Sequence, residues 1–143
     1  MPHRCALRVR FYELDPYGHV NHSVYVQYFE VARVEALAAV GMGLDILQAE
    51  RGLNLVVVEI HTRFIASAVM GDDLVVESGL SSVGRAKATW SQRLVRGDEV
   101  IATQKMVSAC VGAQGKPLRF PAELVEALAE YQVPGDWLGA QHS

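Results

Sequence analysis

Asp15-Pro16-Tyr17-Gly18-His19-Val20-Asn21-His22 places a carboxylate, two imidazoles and a turn glycine in one short stretch. A carboxylate so placed can attack an acyl carbon itself. It can also take a proton from a water that attacks. Gly18 has no side chain, so the backbone there can approach a bound group closely. Asn21 is an N-cap residue for the helical pattern that follows. The first N–H groups of a helix point outward and carry partial positive charge. Aimed at an acyl oxygen they act as an oxyanion hole, in which one donor is worth about 3–4 kcal/mol of transition-state stabilisation. The amides of Gly18, His19, Val20 and Asn21 are the expected source. Taken alone, Asp-Pro is ordinary turn chemistry, and His22 also reads as an exposed first-turn residue. Asp15, Gly18, His22 and an apolar helix in succession favour chemistry.

The neighbouring elements must position this stretch. Cys5 to Phe11 alternates apolar and basic residues and reads as a strand. Glu13 to His22 is a loop broken by Pro16 and Gly18. His22 to Val40 has a helical pattern with few polar positions: Ser23, Gln27, Glu30, Arg33 and Glu35. An ordinary surface helix shows one apolar stripe, so this one is expected to be largely surrounded by protein. Glu30 and Arg33 are expected to be buried and paired with each other, and Tyr28 to be core.

A short helix over Leu44 to Glu50 follows, then four strands: Leu55 to Ile65, Leu74 to Ser81, Ala86 to Arg96 and Val100 to Val111. In the first of these, alternation puts Val58, Ile60, Thr62 and Phe64 on one face, and Glu59, His61 and Arg63 on the other. Pro121 to Tyr131 reads as a last helix with Leu124, Leu128 and Tyr131 on its buried face. The order predicts an α+β domain over residues 1–132, a sheet curled around one long helix. Residues 133–143 are expected to be a loosely ordered tail. The open sheet edges predict self-association.

Composition narrows the function classes. The chain has 143 residues, half of them apolar, and a net charge of −3. No basic block draws nucleic acid or an anionic membrane, and no apolar run is long enough to span a bilayer. The N-terminal residues lack a secretory pattern, so a cytoplasmic protein is expected. Cys5 and Cys110 lie in apolar strand-like runs and read as reduced, buried hydrophobes. Metal-ligand spacing is absent, and no metal or cofactor is expected.

Tyr12-Glu13-Leu14-Asp15-Pro16-Tyr17-Gly18-His19-Val20-Asn21-His22-Ser23-Val24-Tyr25, followed by Tyr28, Glu30, Arg33 and Glu35, resembles the hot-dog-fold acyl thioesterases of the 4-hydroxybenzoyl-CoA thioesterase type. The pattern D-x-x-G-x-V-x-[YHN]-x-x-Y, with E-x-x-R on the helix, carries the resemblance. Its spelling is most similar to bacterial acyl-CoA thioesterases and plant plastid acyl-ACP thioesterases.

The resemblance implies a five-stranded antiparallel sheet wrapped around the helix. It also implies a homodimer or homotetramer whose site lies between subunits. It makes Asp15 the catalytic carboxylate, as nucleophile or base, and gives His22 a hydrogen bond to Asp15, the water or the thioester. It leaves His19 as a wall or exposed residue and places Glu59 and His61 near the substrate, although His61 reads first as a satisfied or edge-exposed strand histidine. Ser82, Arg85 and Lys87 would lie by the nucleotide end of coenzyme A, where the forked donors of Arg suit phosphate; they also read as plain hairpin residues. By residue type, Tyr17, Tyr25 and Tyr28 could shorten an acyl tunnel or stack on an aryl group, although Tyr25 and Tyr28 read first as core. The implied substrate is an acyl-CoA or acyl carrier protein thioester. Two alternatives stay open: a hot-dog hydratase, and an acyl-CoA-binding module without turnover.

Overall fold

A computed structural model of the chain describes residues 1–139. Its strands are β1 (His3–Arg8), β2 (Asn54–Phe64), β3 (Asp73–Val83), β4 (Lys87–Arg96) and β5 (Glu99–Val111). Its helices are α1 (His22–Ala39), α2 (Leu44–Arg51) and α3 (Ala122–Leu128), with 3-10 turns at Phe11–Glu13 and Ala129–Tyr131. The strands form one antiparallel sheet in the order β1-β3-β4-β5-β2. This is the expected α+β architecture, with α1 packed on the sheet.

Helix α1 starts where the sequence predicts. The Ser23 N–H donates to Asn21 Oδ1 at 3.0 Å, which satisfies one of the helix's orphan donors. Tyr25, Tyr28, Phe29, Ala32, Arg33, Ala36 and Leu37 are buried. Their spacing of three and four makes a single stripe. Val31 is 51% exposed and Val34 37%. Within one chain the helix is therefore covered on one side only, and Val31 and Val34 face outward.

A polar belt crosses the fold beneath α1. Ser78 on β3, Gln92 on β4, Gln104 on β5 and Thr62 on β2 stand side by side in register. Gln92 Nε2 donates to Ser78 Oγ at 2.9 Å and to the Phe29 carbonyl at 2.8 Å. Gln104 Nε2 donates to Thr62 Oγ1 at 2.8 Å. Arg33 reaches down from α1 and donates to both Gln92 Oε1 and Gln104 Oε1 at 2.8 Å. So Arg33 is buried as expected, but glutamines hold it by hydrogen bonds, and Glu30 is exposed and acts on it only as a nearby charge. Burial pulls the Arg33 pKa down to about 10. The belt divides two apolar clusters, one around Leu37, Leu80 and Trp90, the other around Tyr25, Phe29 and Leu94. Each buried polar atom can bond in one register only, so the belt fixes how α1 lies on the sheet.

Strand β2 forms an outer edge. A bulge between Val57 and Glu59 sets Val58 out of register. Phe64, Thr62 and Ile60 share the face of Ala102, Gln104 and Met106, but beyond the bulge Val57 takes the place expected of Val58. Val56, Val57, Val58, Ile60 and Phe64 are all exposed.

The C-terminal segment departs from expectation as far as it is described. Val133 donates its N–H to the Leu80 carbonyl, and Val133 and Leu138 are buried. Gly79 makes room for it, because a Cβ there would stand 2.4 Å from Val133 Cγ1. The Arg93 guanidinium lies 3.9 Å from the centroid of the Trp137 ring. Apolar residues at 133 and 138 thus find sites on the domain. The rest of the expected tail, 140–143, lies outside the described residues.

Candidate active site

The loop before α1 is folded around Asp15. The Asp15 N–H donates to the His19 carbonyl at 2.7 Å, and the Gly18 N–H donates to the Asp15 carbonyl at 3.1 Å. Asp15 Oδ1 accepts from the N–H groups of Tyr17 at 2.8 Å and His19 at 3.1 Å. One carboxylate oxygen therefore holds the loop, and the side chain's orientation is set by its own backbone. Neither of those bonds engages Oδ2. Gly18 turns this loop at φ +79°, in the left-handed region that favours glycine, while a Cβ there would meet nothing within 4 Å. Its positive φ gives it a conformational role in the loop.

The expected oxyanion donors are otherwise engaged. Besides the Gly18 and His19 amides, the Val20 N–H donates to the Ala68 carbonyl and the Asn21 N–H to the Glu13 carbonyl, both at 2.9 Å. These bonds tie the loop's neck shut and attach it to the wall opposite. His22 is the first residue of α1, and no residue earlier in the helix can accept its N–H. His22 itself lines the cleft beside Asp15.

Asp15, His19, Val20 and His22 line one side of an open cleft of about 240 Å³, and Phe64 to Ser67 line the other. Tyr25 braces that second wall, for its hydroxyl accepts from the Ala68 N–H at 2.9 Å. The Tyr25 ring packs edge-on to Phe64 at 5.3 Å, and His22 does so at 6.5 Å. Beyond the wall, Arg96 donates to the Ser67 carbonyl at 2.8 Å and to Asp72 Oδ2 at 2.9 Å. Asp72 also accepts from the Val69 N–H at 3.0 Å. That backbone bond and the Arg96 guanidinium hold the Asp72 carboxyl below its ordinary pKa.

Residues 9–128 match the thioesterase-like superfamily. The chain belongs to this family. The thioesterase is similar to Acyl-CoA thioesterase YbgC of Haemophilus influenzae, at 32% identity over 85% of this chain and 90% of that one. It is 29% identical to the chloroplastic acyl-acyl carrier protein thioesterase ATL3 of Arabidopsis thaliana, over 85% of this chain and 65% of the plant protein. The chain thus spans just under two thirds of that relative's length. A crystal structure from Aquifex aeolicus superposes with a TM-score of 0.85 at 30% identity, covering 89% of this chain and 99% of that one. The hot-dog fold expected from the Asp15-to-Tyr25 motif is established, and the protein is an acyl thioester hydrolase by family.

The remaining residues singled out in the thioesterase sequence lie in several places. Tyr17 is 84% exposed and is not among the residues that line the cleft. Tyr25 is buried and forms wall and core together. Glu59 and His61 are exposed on β2. Ser82 borders a separate hollow beneath α3, and Lys87 is exposed at the start of β4. Arg85 lines an open groove of about 520 Å³ with Gly84, Arg119 and Phe120. The Phe120 N–H donates to the Arg85 carbonyl at 2.8 Å, which brings the segment carrying Arg119 to the hairpin. Arg119 and the wall of Ala66 and Ser67 are absent from the sequence reading. Only the three-dimensional pairing of distant segments makes either visible. Burial raises the pKa of both cysteines, as suits inert thiols.

Proposed function

We propose that Asp15 is the catalytic carboxylate and that the acyl group is carried on coenzyme A. The observation that carries the first part is the division of labour within Asp15: Oδ1 is locked by two loop amides that leave Oδ2 unengaged, in a cleft that His22 also lines. The thioester carbonyl would lie between Oδ2 and the His22 N–H. Oδ2 either removes a proton from an attacking water or bonds to the carbon to give a mixed anhydride that water opens. In both routes the same oxygen acts. The carbonyl oxygen takes the negative charge against the His22 amide and helix N-terminus. The carbon–sulfur bond then breaks and the thiolate leaves, to be protonated by the His22 imidazole or by water. His19 forms part of the wall.

The coenzyme A reading rests on Arg85 and Arg119 in one open groove, since guanidinium groups match phosphate oxygens. In one chain that groove is remote from Asp15. It adjoins the end of β3, whereas His19 bridges Val69 just before β3 begins. An eleven-residue strand spans about 36 Å at about 3.3 Å per residue. A second copy resolves this. Antiparallel pairing of two β2 edges would set one chain's groove end beside the other's Asp15 end and cover the apolar residues of β2 and α1. Glu59 and His61 would then stand on a strand bordering the partner's site. The working unit is thus a homodimer, alone or within a homotetramer. Free thiols at Cys5 and Cys110 suit a cytoplasmic setting.

The test is thiol release from acyl thioesters of graded chain length on both coenzyme A and acyl carrier protein. Release from the coenzyme A series that weakens in Arg85→Ala and Arg119→Ala through KM supports the reading. Release confined to carrier-protein thioesters, or equal KM in both variants, rejects the coenzyme A assignment. Tight binding without release from either series rejects hydrolysis.

A further inference from the structure

We propose that Glu13, held by Tyr28, is the positioning residue that sets the Asp15 carboxylate against the start of α1. The proposal rests on the assignment of Asp15 above. Glu13 is only 9% exposed, an unusual place for a carboxylate unless bonds compensate its charge. Its Oε1 accepts from the Arg10 N–H at 2.8 Å and from the Tyr28 hydroxyl at 2.6 Å. Its Oε2 lies 3.5 Å from the Arg10 guanidinium. Its backbone carbonyl accepts the Asn21 N–H at 2.9 Å.

These contacts meet at the neck of the catalytic loop. The chain leaves the neck at Glu13, forms the Leu14 to Val20 bridge, and returns at Asn21. Asp15 lies two residues after Glu13, and His22 directly follows Asn21. One residue therefore ties both partners of the proposed chemistry, the attacking oxygen and the oxyanion donor. The Tyr28 hydroxyl anchors that residue to the second turn of α1, the same helix whose first residue, His22, lines the cleft. Burial, and then the bond to Glu13, raise the Tyr28 pKa, so the hydroxyl stays a donor. Tyr25, nearly one turn earlier, bonds the Ala68 amide on the opposite wall. Successive tyrosines of α1 thus pin the two sides of the cleft, and the Glu13 side is the one that carries Asp15.

A shift of about 1 Å in such an arrangement costs up to about a hundredfold in rate. The experiment measures kcat and KM for thiol release by Tyr28→Phe, Glu13→Ala and Glu13→Gln, each checked for fold by circular dichroism. Tyr28→Phe is expected to lower kcat by about tenfold or more with little change in KM. Glu13→Gln keeps an oxygen for the Arg10 amide and the Tyr28 hydroxyl, and is expected to recover most of what Glu13→Ala loses. In an Asp15→Ala background, Tyr28→Phe is expected to have no further effect. Wild-type kcat in folded Tyr28→Phe overturns the proposal, as does an undiminished effect of Tyr28→Phe without Asp15. If Glu13→Ala fails to fold, Tyr28→Phe decides alone. Full activity of Asp15→Ala instead overturns the assignment of Asp15, whatever Tyr28 does.

Discussion

The His19 N–H donates to Asp15 Oδ1 at 3.1 Å, so the carboxylate is bound by the loop it belongs to. A side chain fixed by its own backbone is oriented before any ligand arrives, which is the preorganisation that the role proposed for Asp15 requires. The arrangement depends on a left-handed residue at position 18.

Gly18→Ala is therefore expected to lower both stability and activity. The added methyl meets open space, and the cost is backbone strain at positive φ, about 1–2 kcal/mol. A melting temperature and kcat equal to the wild type's would show that the loop does not need this conformation.

The wall opposite Asp15 is held by charge. The Asp72 pKa lies below its ordinary value of 3.8 in the folded chain. A carboxyl lowered on folding stabilises the protein above that ordinary value, and the benefit is lost as pH falls through the folded pKa. Asp72→Asn should thus be less stable than wild type near neutrality, by about 0.5–1 kcal/mol for a partly exposed pair. The gap should close as pH drops below 3.8. Chemical denaturation at neutral and acid pH checks this, and a gap that widens in acid contradicts it.

The polar belt gives a contrast between two variants. Gln92→Leu leaves Arg33, the Phe29 carbonyl and Ser78 short of a partner, and should cost roughly 1–3 kcal/mol per stranded group. Arg33→Met removes the buried charge along with its needs, and should cost less. Denaturation midpoints of the two variants test the order, and a larger loss for Arg33→Met would reverse the account of the belt.

Much of this layout is legible in the sequence, for reasons that can be named. Asn21 caps α1, because a short polar side chain before an apolar helical run has that one use. Gly52, Gly97 and Gly115 follow or separate patterned segments in the sequence, and each turns the chain there at positive φ. The bulge at Val58 escapes a strict two-residue period, since it depends on pairing with β5. Arg33 pairs with glutamines on two strands that no spacing on the helix can reveal. The Gly18-to-Asn21 amides look free on the chain and are consumed by Asp15, Ala68 and Glu13 once it folds. Glu13 and Tyr28 are both present in the motif as spelled, but their bond spans 15 residues and needs a structure to be seen.

Ile60 stands exposed on the β2 edge. A lysine on an edge strand opposes pairing with another edge. For the proposed dimer paired through β2, Ile60→Lys is expected to give monomer in size-exclusion chromatography with light scattering. Activity should fall with the dimer, because the Arg85 groove and Asp15 would no longer meet. A fully active monomer would contradict the shared site.

The most direct measurement is steady-state thiol release from an acyl-CoA by wild type and Asp15→Ala at equal folded concentration. The account predicts turnover by the wild type and a loss of about 10²–10⁴-fold in kcat for the variant, with its circular dichroism unchanged. Undiminished thiol release by folded Asp15→Ala would contradict the central claim.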